Sequence, residues 1–78
     1  MSALDFEGML EKIGDRIHHE MTKKDITKEE LVKRSGVASG TIYNIKHYKG
    51  NPTLKVLDKI ARALDITLED LCNSTGKK

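Results

Sequence analysis

The sequence predicts an all-α fold, a compact domain of five short helices, on three observations. Apolar residues recur every three or four positions along nearly the whole chain, and no stretch alternates with the period of two that marks a half-buried strand. Residues that start and stop helices punctuate the chain at short intervals: Thr27, Thr53 and Thr67 as starts, and Asp25, Gly36 and Gly50-Asn51-Pro52 as stops. The aromatics are only Phe6, Tyr43 and Tyr48, with no tryptophan, so the core has to be aliphatic. At 78 residues the chain has room for one core, and for a shallow crevice rather than a deep catalytic pocket.

Each element has its own warrant. Phe6, Leu10, Ile13, Ile17 and Met21 share one face of a first helix, which should end near Lys24 because Asp25 tolerates the left-handed turn. Thr27-Lys28-Glu29-Glu30 reads as a capping box, with the Thr hydroxyl on the third helical amide and Glu30 reaching back. It opens a second helix carrying Leu31 and Val32 that stops at Gly36. A third helix, about residues 39–48, turns Ile42 and Ile45 inward and is broken by Gly50-Asn51-Pro52. Thr53 caps a fourth helix with a stripe of Leu54, Leu57, Ile60, Ala61 and Leu64. Thr67-Leu68-Glu69-Asp70 resembles a second capping box and opens a last short helix with Leu68 and Leu71. The expected division is an extension over 1–9, a domain over 10–73 and a flexible tail over 74–78. The extension either lengthens the first helix, with Phe6 and Met9 covering the core, or forms an arm that joins subunits. The last helix, with Leu68, Leu71 and Cys72, is the other candidate dimer surface.

Composition narrows the function classes. Hydrophobic residues are 37% and charged residues 33%, too apolar for general disorder and too polar for a membrane core. No apolar run approaches the ~20 residues that cross a bilayer. Asp5 and Glu7 precede any basic residue, unlike a secretory signal, and the lone Cys72 has no internal disulfide partner; a cytoplasmic location is the expectation. The net charge of +2 is unevenly spread. Residues 1–15 sum to −3, residues 16–55 to +5, and residues 56–78 to zero. One electropositive face is expected, which suits a polyanion; a solvated lysine-rich surface would give the same count.

The second and third helices, joined by Ser35-Gly36-Val37-Ala38, form the tightest feature. Two short helices across so brief a turn cross steeply, and in a helix-turn-helix the projecting helix enters the DNA major groove. With Ile42 and Ile45 inward, Ser39, Gly40, Tyr43 and Asn44 point outward. Asn pairs bidentately with adenine, Ser and Tyr bond base edges or phosphates, and Gly permits close backbone approach. Lys28 stands where a helix N-terminus and an ammonium can both meet phosphate. Lys46, Tyr48 and Lys49 leave the far end of the third helix, where they could grip the opposite backbone.

The residues Gly14-Asp15-Arg16-Ile17, Ile26-Thr27-Lys28-Glu29-Glu30-Leu31, Gly36-Val37, Thr41-Ile42-Tyr43-Asn44-Ile45, Asn51-Pro52-Thr53-Leu54 and Ile60-Ala61-Arg62-Ala63-Leu64-Asp65-Ile66 follow one another in an order that resembles the Cro and phage-repressor helix-turn-helix family, also called XRE. The resemblance spans about residues 10–72. It implies a five-helix, lambda-repressor-like domain that binds operator DNA as a homodimer on a palindrome, acting as a repressor or activator. It puts the family's base-reading positions on Ser39, Gly40, Tyr43 and Asn44. Its phosphate positions fall on Lys28, Ala38, Thr41, Lys46 and the segment reaching Asn51, with Lys49 alongside.

Three departures stand out. Ala38 replaces the usual Ser or Thr cap of the third helix, so the cap is expected to pass to Ser39. Met21 and Lys46 together replace an Arg–Glu pair between the first and third helices. Tyr48 stands where Gly is common, which leaves the third helix free to run longer.

Other constellations carry less. His18, His19 and His47 lack metal-ligand spacing. Cys72 reads as a small buried hydrophobe. No nucleophile, base and orienter assemble, so neither an enzyme nor a cofactor is expected. The rival from another class is a protein-interaction module, antitoxin-like or docking on polymerase, that uses the same helix face with Tyr43 and Tyr48 at its centre.

Overall fold

The computed structural model describes residues 6–72. Its helices are α1 (Phe6–Lys24), α2 (Lys28–Ser35), α3 (Ser39–Lys46), α4 (Leu54–Ala63) and α5 (Leu68–Cys72), with no strand among the described residues. The expectation of five helices in an all-α domain holds. Helix α1 lies against α3 and α5, α4 against α2 and α5, and α2 against α3. Ile17, Leu31, Ile42, Ile45, Ile60, Leu64 and Leu71 are the fully buried centre, all aliphatic as the scarcity of aromatics required. The expected tail and the first five residues lie outside the described residues. Residues 6–9 are the first turn of α1, with Phe6 and Met9 exposed.

Three of the helix starts are set by threonines. Thr27, Thr53 and Thr67 each accept a hydrogen bond on the side-chain oxygen, from the amides of Glu30, Val56 and Asp70 at 3.1, 3.1 and 2.9 Å. The capping box at Thr27 is only half made. Glu30 turns to Arg34 one turn on, at 2.9 Å, and does not reach back to the Thr27 amide.

The stops of α1, α3 and α4 share one geometry. Asp25, Tyr48 and Asp65 adopt φ values of 58°, 62° and 62°, and the residue after each donates its amide five residues back: Ile26 to Met21, Lys49 to Asn44 and Ile66 to Ala61, at 2.9, 2.7 and 2.9 Å. Gly36, at φ 73°, ends α2. The third helix therefore does not run to residue 48: it stops at Lys46, with His47 as its cap residue and Tyr48 turning left-handed.

Two further expectations change in the tertiary fold. Leu54, expected in the apolar stripe of α4, is 68% exposed at the first position of that helix, while Ala63 near its end is buried. Leu71 is fully buried within its own chain, which removes it from a dimer surface.

A buried charge also emerges. Glu20, with only 3% of its surface exposed, lies on α1 between Arg16 and Lys24. Arg16 donates to its Oε2 at 2.9 Å, and Lys24 Nζ lies 3.2 Å from its Oε1. Lys24 also donates to the Leu64 carbonyl at 2.5 Å, and Arg16 to that of Asp70 at 3.3 Å. The triad thus ties α1 to the C-terminal end of α4 and to α5, where free carbonyls welcome cations. Burial pushes the Glu20 carboxyl up, but the bonds and charges of Arg16 and Lys24 outweigh it and hold the group below its ordinary range.

Candidate nucleic-acid interface

Helix α3 is anchored on one side only. Ile42 and Ile45 are buried, at 0% and 2% exposure. At about 100° per residue, Gly40, Tyr43, Asn44 and His47 then fall on the opposite side, and all four are exposed. Ser39 is exposed at the helix start, and Thr41 and Lys46 are half-buried on the flanks.

The tight connection from α2 that sets this projection is locally encoded. Gly36 takes the left-handed cap, Ser35 Oγ accepts from the Val37 amide at 3.1 Å, and Val37 is buried as the plug of the turn.

The N-terminus of α3 carries no side-chain cap. Ala38 occupies the cap position with φ −60° and ψ 144°, and Ser39 does not take over the role. Ser39 is the first helical residue, already in the turn, so its hydroxyl cannot fold back onto the amides that follow. The expected transfer of the cap is therefore overturned, and the first amides of α3 have no partner from a capping side chain. Nothing stands within 4 Å of where a Gly40 Cβ would sit, so that surface is open to an approaching partner.

Cations flank both ends of α3. Lys28 and Lys33 line a groove with Ser39 at its start, together with Glu29 and Glu30. At its far end Lys49 and Asn51 line a second groove with Thr41 and Asn44. Lys46 lies on the α1 side, in clefts shared with His18, Met21 and Tyr48, and Met21 is buried, so no ion pair joins these positions. His18, His47 and Asp15 come near one cleft, yet no group of three metal-ligating side chains assembles among the described residues.

Tyr48 has a structural account. Its ring packs over Gly14 and its hydroxyl donates to the Asp15 carboxylate. That bond, burial and the nearby charges of Asp15 and Glu11 raise the phenol above its ordinary range. A Cβ at Gly14 would sit 2.6 Å from the Ile45 carbonyl oxygen and 2.9 Å from the Tyr48 ring, so only glycine lets α1 and the end of α3 approach this closely. Cys72, half-buried against the core, has its thiol pKa raised by burial.

One arrangement escaped the reading of the sequence. The His47 ring stacks on that of Tyr43, centroids 4.1 Å apart and tilted by 42°, while Lys28 Nζ lies 5.7 Å from the centre of the same Tyr43 ring. The signal was present in the i,i+4 spacing of Tyr43 and His47, which stacks two side chains one turn apart.

Residues 16–75 match the Cro/C1-type helix-turn-helix DNA-binding domain. The chain belongs to that family. Two uncharacterised HTH-type transcriptional regulators of Archaeoglobus fulgidus are 43% and 41% identical to it over 56 residues, covering 72% of this chain and 79% and 80% of their own. The HTH-type transcriptional regulator SinR of Bacillus licheniformis is 31% identical over 62 residues, 78% of this chain and 56% of its own length. No solved structure matches. The matched residues include both α2 and α3 and the short turn that joins them. No helix of the described residues is long and apolar enough to cross a membrane.

Proposed function

We propose that this Cro/C1-type domain is a sequence-specific, double-stranded-DNA-binding regulator of transcription, in the cytoplasm, which lays α3 in the major groove as a homodimer on a palindromic operator. The observation that carries the proposal is the outward face of α3: an exposed, uncapped helix start followed by Gly40, Tyr43 and Asn44 with no core role. Tyr43, Asn44, Ser39 and Gly40 are the base-contacting set. Lys28, Thr41, Lys46, Lys49 and Asn51 contact phosphate, with Lys46 approaching from the α1 flank. The free amides at the start of α3 add a positive helix end facing the duplex. The chemistry is recognition alone, without catalysis, cofactor or metal.

Selection from a randomised duplex pool near physiological salt tests this. An enriched inverted repeat with half-sites about one helical turn apart is expected. Asn44→Ala should then relax preference at one base pair by about 1–3 kcal/mol, and an unchanged preference would falsify the assignment of α3. A protein-docking role for the same face keeps both tyrosines, since Tyr48 stays 45% exposed although its hydroxyl bonds Asp15 and its ring packs on Gly14. It predicts no enrichment and little salt dependence.

A further inference from the structure

The geometry points to His47 as a specificity-determining positioning residue: it holds the Tyr43 ring, together with Lys28, in the orientation that reads the base edge. This rests on the proposed base-reading role of Tyr43.

Tyr43 is 48% exposed, and its backbone alone would leave the ring free to choose among rotamers. Two side chains from different elements restrict that choice. His47, at the cap of α3, stacks on the ring from the following turn at 4.1 Å between centroids. Lys28, the first residue of α2, brings its ammonium to 5.7 Å from the ring centre, at cation–π range. A tyrosine held this way loses less freedom on meeting DNA than one that must be ordered at that moment, and the saving applies only where the ring finds its proper partner. Preorganisation by His47 therefore adds discrimination rather than general affinity. His47 follows Gly40 by seven residues, which sets it within about 20° of Gly40 on the outward side of α3. The stack thus stands on the interface itself. Lys28 has two roles in this arrangement, as a cation beside the phosphates and as a support for Tyr43.

The test compares the full chain with its Tyr43→Ala, His47→Ala and His47→Phe variants. Each is titrated against the duplex enriched from the randomised pool, against its single-base-pair variants, and against an unrelated duplex, with thermal melts to confirm folding. Tyr43→Ala should flatten preference at the base pairs Tyr43 reads. His47→Ala should relax preference at those same base pairs by roughly 2- to 10-fold, the range for loss of one aromatic pair, while affinity for the unrelated duplex stays near that of the parent. His47→Phe, which keeps a ring to stack, should restore the preference. Unchanged preference in His47→Ala overturns the proposal, as does equal weakening on every duplex, which would make His47 a phosphate contact. Failure of His47→Phe to rescue also overturns it, because the imidazole itself would then be making the contact. If Tyr43→Ala leaves preference intact, or no duplex is enriched, the base-reading role of Tyr43 fails first and the positioning role falls with it.

Discussion

Gly14 and Glu20 show how single positions on α1 fix its place against the other helices, Gly14 against the end of α3 and Glu20, through Arg16 and Lys24, against α4 and α5. Gly14 is buried where the Ile45 carbonyl and the Tyr48 ring converge, and no rotamer can relieve a Cβ placed 2.6 Å from a backbone oxygen. Gly14→Ala should therefore destabilise the fold by about 1–3 kcal/mol as α1 and α3 are forced apart; an unchanged urea midpoint would show that the two helices can separate freely. Tyr48→Gly trades a left-handed tyrosine for the residue that prefers this conformation, but it removes the ring over Gly14 and the bond to Asp15. Glu20 makes a separate, pH-dependent contribution. Its folded carboxyl lies below the ordinary value of 4.5, so the stability it confers is complete above that pH and is lost as the pH falls through the lowered folded value. Glu20→Gln should flatten the acid limb of a stability-against-pH curve and lower stability near neutrality by about 1–3 kcal/mol, the usual penalty for weakening a buried charge-assisted bond. An acid limb identical to the parent's would remove Glu20 from the account.

Helix ends carry much of the information at the scale of elements. Three threonine caps and a glycine stop are local chemistry, and α1, α3 and α4 close through one shared backbone bond pattern after a left-handed residue. At Asp25, as at Gly36 of α2, the stop was readable in the sequence; at Asp65 it was not read. At Tyr48 it is not readable, because an aromatic residue adopts the left-handed turn only when tertiary contacts hold it there. The exception at the starts is α3, whose cap position is Ala38. Ala38→Ser should raise stability by about 1 kcal/mol, the usual value of a restored N-cap. Chemical denaturation would measure the gain, and no gain would mean that the amides at the start of α3 already have a partner in the free protein.

The whole molecule places lysines at both ends of α3, Lys28 and Lys33 beside Glu29 and Glu30 at its start and Lys49 beyond its end. Phosphate contacts and base contacts should separate cleanly in a salt titration. Lys49→Ala is expected to weaken binding to all sequences alike and to lower the slope of log K against log salt by about 1. Asn44→Ala should leave that slope unchanged while altering sequence preference. Equal slopes for parent and Lys49→Ala would remove Lys49 from the phosphate set. Lys28, through its contact with Tyr43, is expected to affect both readouts.

The five helices, the Thr27, Thr53 and Thr67 caps, the stops at Asp25 and Gly36, and the inward pair Ile42 and Ile45 were all legible in the sequence, because apolar period, capping chemistry and left-handed preference act within a few residues. The candidate site was legible to the same extent: knowing which residues of α3 face the core is enough to know which face away. Partners from distant segments were not. The sequence by itself determined the helices, their order and the helix-turn-helix that projects α3. Only the tertiary structure decided that α3 ends at Lys46, that Glu20 is buried between Arg16 and Lys24, that Leu54 is exposed, and that Lys28 reaches the Tyr43 ring. The reason is physical: burial and the end of α3 depend on how helices pack, and at Gly14 that packing is set against the Ile45 carbonyl and the Tyr48 ring, far along the chain.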